Sequence, residues 1–378
     1  MNDVRELKDE GDKKKDFPLK EIYFYLTEGC NLSCRHCWLS PKYQKENISY
    51  PVLSIELIKS IISQAKPLGL TAVKLTGGEP LLHPEILEIL KIIKVQNLSF
   101  SMETNGILCT AELAHEIASL KNPSISVSLD GADASTHEWV RGVSGCFDNA
   151  IKGIRNFVNA GLKPQIIFTV MRYNKDQLEP IVRLAESLGA GSVKFNLVQP
   201  TGRGEKLDTS GETLPVDELI KTGQWVMDTL STSTNLKLYF DLPAAFRKMS
   251  KMFGKNGDGC STCGILGIIG VLANGSYALC GIGFQIRELM FGNAAVDRLE
   301  DIWKNNKILC ELREGIPSRF EDICGRCHMK RICTASCIAQ NYYRTKSLWK
   351  SFWFCIEAHR KGLFPETRIS KMPQNQYF

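Results

Sequence analysis

Between Glu21 and about Gln199, short apolar runs alternate with segments whose apolar residues recur every three or four positions. The runs Ile22–Leu26, Ala72–Leu75, Leu98–Met102, Ser124–Leu129, Gln165–Val170 and Ser192–Leu197 are rich in Ile, Val and Phe. That is the composition of strands buried on both faces. The segments Val52–Ala65, Pro84–Lys94, Ala111–Leu120, Asp148–Ala160 and Gln177–Leu188 carry a helical period. Six strands separated by five helices predict right-handed parallel βα units. An open partial barrel of six units and a doubly wound sheet fit this alternation equally well.

The pattern breaks at Pro200-Thr-Gly-Arg-Gly204. A helix over Pro215–Leu230 and a polar bridge, Ser231–Asn235, follow. Asn274-Gly275 is a strong two-residue hairpin signal and predicts strand–turn–strand over Gly270–Cys280. Leu299–Leu312 reads as one amphipathic helix, and Arg360–Phe378 as irregular. The expected organisation is a charged segment over 1–20, an α/β unit over 21–204, a bridging helix/strand region over 205–256, a cysteine-rich domain over 257–360 and a tail over 361–378.

Composition adds one unusual number. The chain is 43% hydrophobic with a formal charge of +6, ordinary for a globular protein and too mild for a nucleic-acid binder, yet it has 14 cysteines. The N-terminus lacks an apolar stretch of the kind a secretory signal needs. The most apolar run, Gly264–Ala273, falls short of the ~20 residues of a membrane span. The expected setting is the cytoplasm, without membrane association, where thiols stay reduced and regularly spaced cysteines read as metal ligands.

Cys30-Asn-Leu-Ser-Cys34-Arg-His-Cys37 follows the first strand directly. Loops at the C-terminal ends of parallel strands are where chemistry gathers. Three thiolates on such a loop can hold three corners of an iron–sulfur cubane and leave the fourth iron open. The alternative is a zinc site with His36 as fourth ligand, for which that side chain would have to fold back. The second strand ends in Gly77-Gly78-Glu79-Pro80, where two glycines permit a close approach to the backbone and Glu79 offers an acceptor to a cation.

At these two motifs the chain resembles the radical S-adenosylmethionine (SAM) enzymes, and the resemblance selects the partial (β/α)6 barrel. In that family SAM chelates the open iron, and an electron cleaves it to methionine and a 5′-deoxyadenosyl radical that abstracts a hydrogen atom. The resemblance implies that Gly77 and Gly78 meet the SAM amino group beside Glu79, and that Ser128 and Asp130 belong to the ribose-contacting segment. It further implies that Arg141 neutralises the SAM carboxylate, that Leu197 or Val198 flanks adenine, and that Asn105 closes the end of strand three. Without the resemblance, Ser128 and Asp130 read as capping or turn residues and Arg141 as half of an ion pair.

The C-terminal cysteines read Cys260-x2-Cys263-x11-Gly275-x4-Cys280, then Cys324-x2-Cys327-x5-Cys333-x3-Cys337, then Cys355. This resembles the SPASM domain, which binds two auxiliary [4Fe-4S] clusters. The resemblance gives one cluster Cys260, Cys263, Cys280 and Cys337, and the other Cys324, Cys327, Cys333 and Cys355. Two four-cysteine zinc sites are the alternative. Cys109, Cys146 and Cys310 remain, read as buried inert thiols. Three oxidised cubanes on eleven thiolates would bring the net charge to about +1, which removes any basic-patch case for nucleic acid.

The resemblance implies an enzyme that abstracts hydrogen from a residue of a ribosomally made precursor peptide, leading to a cross-link, an epimer or an excised backbone segment. Its expected partners are that peptide, an electron donor of flavodoxin or ferredoxin type and a separate leader-binding protein, since about twenty residues precede strand one, too few for a winged helix. One alternative substrate is a tetrapyrrole side chain in a haem pathway, against which stands the full set of auxiliary cysteines. The other is a sulfatase active site. Maturases of that kind carry an aspartate after the cysteine corresponding to Cys280, whereas Gly281 follows it here and is expected to offer room rather than a base. The aromatic run Trp349–Phe354 is expected to pack around the last cluster.

Overall fold

The computed structural model describes residues 17–44, 49–255, 257, 259 and 263–370. The expectations placed on Cys260, on the charged N-terminus before Phe17 and on the tail after Ser370 lie outside these residues. The strands are β1 (Glu21–Tyr25), β2 (Ala72–Thr76), β3 (Ser99–Thr104), β4 (Lys121–Ser128), β5 (Gln165–Val170) and β6 (Ser192–Leu197). β7 (Lys237–Phe240), β8 (Ile268–Val271), β9 (Ser276–Ala278) and β10 (Met290–Asn293) complete the sheet. From β1 to β7 each strand pairs in parallel with the next. A doubly wound sheet reverses strand order at a switch point, and this one does not, so the fold is the open partial barrel.

The sheet extends past the expected unit on both sides. β7, within the bridging region, pairs with β6, and β8, the first strand of the cysteine-rich part, pairs in parallel with β1. The hairpin forms as the Asn-Gly turn requires, with β8 antiparallel to β9 and Gly275 at φ +82.

The strands are not buried on both faces. Ile22, Phe24, Val73, Leu75, Phe100, Met102, Ile166 and Phe168 enter the core, while the residues between them are largely polar and partly open. That second face is the barrel lumen: Lys74 pairs there with Glu103 at 2.5 Å and lies 4.9 Å from the centre of the Tyr23 ring.

The expected helices form as α1 (Ile55–Ala65), α2 (Ile86–Val95), α3 (Ala111–Ala118), α5 (Cys146–Asn159), α6 (Leu178–Ser187) and α7 (Val216–Asp228). Ser54 caps α1 and Thr110 caps α3, each accepting a backbone N–H three residues on. A helix the apolar pattern does not announce, α4 (Ala134–Arg141), is capped by Asp133 and buries Thr136, His137, Val140 and Arg141. The single helix expected over Leu299–Leu312 is two, Leu299–Asn305 and Lys307–Gly315. Asn306 leaves the helical conformation between them and accepts from the N–H groups of Ile308 and Leu309.

Candidate functional site

The loop after β1 is fastened on two sides. Gly29–Cys30 pairs with Lys42–Tyr43, and the Ser33 and Arg35 N–H groups donate to the carbonyls of Arg141 and Val140 at the end of α4. Cys30 and Cys34 are buried, Cys37 is half-buried, and all three line one cleft of about 150 Å³. Burial, and then the neighbouring Cys34 thiol, push the Cys30 thiol well up. Cys34 is pushed up by burial too, opposed by Arg141, whose Nη1 lies 3.6 Å from its sulfur. A cationic centre bound here would favour the thiolate forms of Cys30 and Cys34 over the buried thiols. Among the described residues no three Cys, His, Asp or Glu side chains converge closely enough for a single metal ion. Thiolates round a cubane each hold a different iron, and three cysteines on one loop lining one cleft are a donor set that fits a cluster with one iron left open. His36 turns toward Asp130 (Nε2 to Oδ2 3.8 Å), with burial pushing its pKa down to about 4.

The Gly77-Gly78 turn presses on that loop. Gly78 donates to the Thr27 carbonyl and Glu79 to that of Gly29; a Cβ on Gly78 would lie 1.9 Å from the Gly29 oxygen. The glycines are therefore needed for the two loops to meet, whatever else binds there. Glu79 is buried, and its carboxylate accepts from Thr104 Oγ1 (2.6 Å), Asn105 N (2.8 Å) and Leu81 N (3.1 Å). Burial outweighs these donors and pushes its pKa up to about 7. Asn105 donates to Asn31 Oδ1 at 2.7 Å, which joins the third strand end to the cysteine loop.

Ser128 and Arg141 line the same cleft as the three cysteines, and Asp130 stands behind it. The Asp130 side chain is fully buried, accepting from Thr169 N at 2.7 Å and pairing with Arg141 at 2.6 Å. Leu197 and Val198 are not brought to this cleft. They border a separate small cavity with Val170 and Trp353, and Val198 packs on Val140, Met171 and Leu207.

Arg203 is a cleft residue the sequence reading passed over. It donates from Nε to the Cys34 carbonyl (2.7 Å) and from Nη1 to that of Pro41 (3.4 Å), while its buried Nη2 has no partner among the described residues. The available signal was an arginine between two glycines at the end of the sixth unit.

The C-terminal cysteines gather in two groups. Cys324 and Cys355 share a hydrogen bond that holds the Cys324 thiol down at about 7 and pushes Cys355 up, and both Cys327 and Cys333 lie within their electrostatic reach. Burial, and then the Cys337 thiol, push Cys280 up, and burial, then Cys263, push Cys337 up, so that these three thiols stand together. Thr334, Ala335 and Ser336 all have positive φ (+47, +56, +59), and this left-handed run turns the chain between Cys333 and Cys337. Gly281 offers no room: a Cβ there would meet Tyr25 at 2.5 Å and Trp38 at 2.7 Å, because the Tyr25 hydroxyl accepts from the Gly281 N–H. Cys146 packs against Cys30 and Cys34, Cys109 is buried, and Cys310 is half-buried. Trp349, Phe352 and Phe354 pack into the core next to Cys355.

Residues 24–185 match the protein-family model of the Radical SAM superfamily. The chain is 30% identical to the AdoMet-dependent heme synthase of Methanosarcina barkeri over 89% of this chain and 95% of that protein. It is 26% identical to the mycofactocin maturase MftC of Mycobacterium tuberculosis, over 92% of this chain and 86% of that one. Its fold matches the crystal structure of Streptococcus suis SuiB bound to the precursor peptide SuiA with a TM-score of 0.69 at 19% identity, covering 90% of this chain and 76% of SuiB.

Proposed function

This chain belongs to the radical SAM superfamily, and from that premise we propose that it is a maturase acting on a residue of a ribosomally made precursor peptide. The observation that carries the reading is the gathering of the C-terminal cysteines into two groups, one of them beside Tyr23 and Tyr25 at the lumen. Counted in the sequence with Cys260, which lies outside the described residues, the C-terminal cysteines number eight, enough for two four-cysteine sets, the complement that the resemblance associates with peptide maturases. The mycofactocin maturase relative supports the same reading.

Cys30, Cys34 and Cys37 would hold one [4Fe-4S] cluster and the two C-terminal groups one each. When bound, the first cluster and SAM supply the 5′-deoxyadenosyl radical that removes a hydrogen atom from the substrate. The chain's own residues prepare the place. Arg203 sets a guanidinium group at the cleft wall, where a ligand carboxylate gains most from a charge-assisted hydrogen bond, while Arg141, already paired with Asp130, has only its Nε to offer. Leu32, Trp38 and Leu39 line the same wall and exclude water from a reactive intermediate. Tyr23, Lys74 and Glu103 face the lumen through which a substrate would reach the cleft. With Gly281 locked against Tyr25, any proton acceptor comes from another group.

A reducing cytoplasm is the proposed setting, supported by the number and regular spacing of the cysteines; no helix among the described residues is long and apolar enough to cross a membrane. An electron donor of flavodoxin or ferredoxin type and a separate leader-binding protein complete the proposed partners. A second reading, modification of a tetrapyrrole side chain, is favoured by the identity to the heme synthase. The test is 5′-deoxyadenosine formation by anaerobically reconstituted, reduced enzyme with SAM. A precursor peptide from the same locus should accelerate it and change in mass. Acceleration by a porphyrin, with none by peptide, would replace the first reading by the second.

A further inference from the structure

We infer that the barrel lumen contains a subsite for a carboxylate of the substrate, formed by Lys194 and Arg247. The two come from different parts of the chain. Lys194 lies on β6, in register with Ile167 of β5 and Tyr239 of β7, on the polar face of the sheet. Arg247 follows the turn Ala244–Phe246, which is pinned to the C-terminal part by the Phe246 ring, 5.1 Å from Phe354 and 5.4 Å from Phe364. Both line a cavity of about 280 Å³ together with Gln165, Tyr239 and Asp241.

The charges in this cavity do not balance. Neither Lys194 nor Arg247 forms an ion pair within 4.0 Å among the described residues, and Arg247 Nε is buried with no acceptor. An unsatisfied buried donor on a guanidinium is costly, and the cost is relieved by an anion. Among the described residues Asp241 is the only carboxylate in the lining, and it lies within electrostatic reach of Cys337. Across the lumen Glu103 is hydrogen-bonded to Lys74 and reaches Lys194 only at longer electrostatic range. Two cations facing one carboxylate leave a site that an incoming carboxylate completes, with Tyr239 as a further donor. A neutral or cationic group would leave the excess charge in place.

The carboxylate has two possible sources: a C-terminus or acidic side chain of a peptide, or a propionate of a tetrapyrrole. The subsite rests on the peptide reading only for this source. The test measures binding to the iron-reconstituted full chain. The probes are a peptide that accelerates SAM cleavage, its carboxyl-amidated form, mesoporphyrin IX and the dimethyl ester of that porphyrin. Blocking the carboxyls should weaken binding about ten- to a hundredfold. In Lys194→Met with Arg247→Gln, at unchanged iron content, the blocked and free forms should bind alike. If the double variant loses iron, each single variant is measured in its place. If no peptide accelerates SAM cleavage and porphyrin alone shows this dependence, the subsite stands and the peptide reading falls. If peptide is turned over and its blocked form binds equally well, or if no probe distinguishes the variants from the parent, the subsite is refuted while the peptide reading survives.

Discussion

Arg141 and Asp130 form a buried ion pair, Nη2 to Oδ2 2.6 Å, with side-chain exposures of 7% and 0%. The arginine expected to answer a ligand's carboxylate therefore already holds one, and only its Nε remains without a partner. The pair joins the end of α4 to the strand end after β4, and through Nη1 it reaches the Cys34 sulfur. Asp130→Asn removes the counter-charge without changing shape. Breaking a buried pair in this way should destabilise the apoprotein by about 3–5 kcal/mol in denaturant unfolding. A loss below 1 kcal/mol would mean that water reaches the pair.

Metal content tests the cluster assignment. The reconstituted protein should bind about twelve iron atoms, and alanine at Cys30, Cys34 and Cys37 together should remove about four of them and abolish SAM cleavage. Stoichiometric zinc without iron would overturn the assignment.

Arg203 ties two loop carbonyls and keeps Nη2 free at the cleft. Arg203→Gln should raise the Kd for SAM about tenfold or more, read by equilibrium binding at equal iron content. Arg203→Lys should not restore it, because an ammonium lacks the planar fork that spans both carbonyls. Full recovery with lysine would reduce Arg203 to a simple charge.

His137 is buried and neutral. Its Nδ1 accepts from the Asp130 N–H at 3.2 Å, and burial, then Arg141, push its pKa down to about 3. A histidine depressed in the folded state contributes stability that is complete above its unfolded pKa of about 6.5 and is lost as pH falls toward its folded value. The loss should reach about 2–3 kcal/mol by pH 4.5. Glu79, raised to about 7, acts oppositely, its stability falling as pH rises from about 4.5 to 7. The informative quantity is thus the difference between the parent and His137→Gln across this range, which should shrink on acidification. A pH-independent difference would show that His137 does not titrate on unfolding.

Gly281 is sealed by Tyr25 and Trp38. Gly281→Ala should destabilise by about 1–3 kcal/mol, the cost of overpacking. Adding Tyr25→Phe deletes the hydroxyl that fixes the ring, and should recover part of that loss in thermal unfolding. Full tolerance of alanine would mean that the ring moves freely.

The βα alternation was legible in the sequence because short apolar runs and period-3.6 apolar patterns report local geometry wherever a segment meets the core, although the runs did not show that one face of the strands opens on the lumen. β5 and β6 fall on their expected residues, and the other strands of the barrel within a few. The cysteine loop and the Gly-Gly turn were legible for the same reason: each is a short contiguous stretch placed by the strand before it. α4 was not, because its buried face carries His137 and Arg141 where an apolar stripe is sought. The break at Asn306 was hidden inside an unbroken amphipathic pattern.

Only tertiary structure decided what depends on contacts between distant segments. β8 lies beside β1 although more than two hundred residues separate them, and that pairing brings the cysteine-rich part to the barrel. Leu197 and Val198 leave the cleft because their side chains complete other packing. Arg203 arrives at the Cys34 carbonyl from 169 positions away. Local pattern constrains the backbone over one turn or one strand; which charges face one another across a lumen is fixed by sheet closure, and that no single stretch encodes.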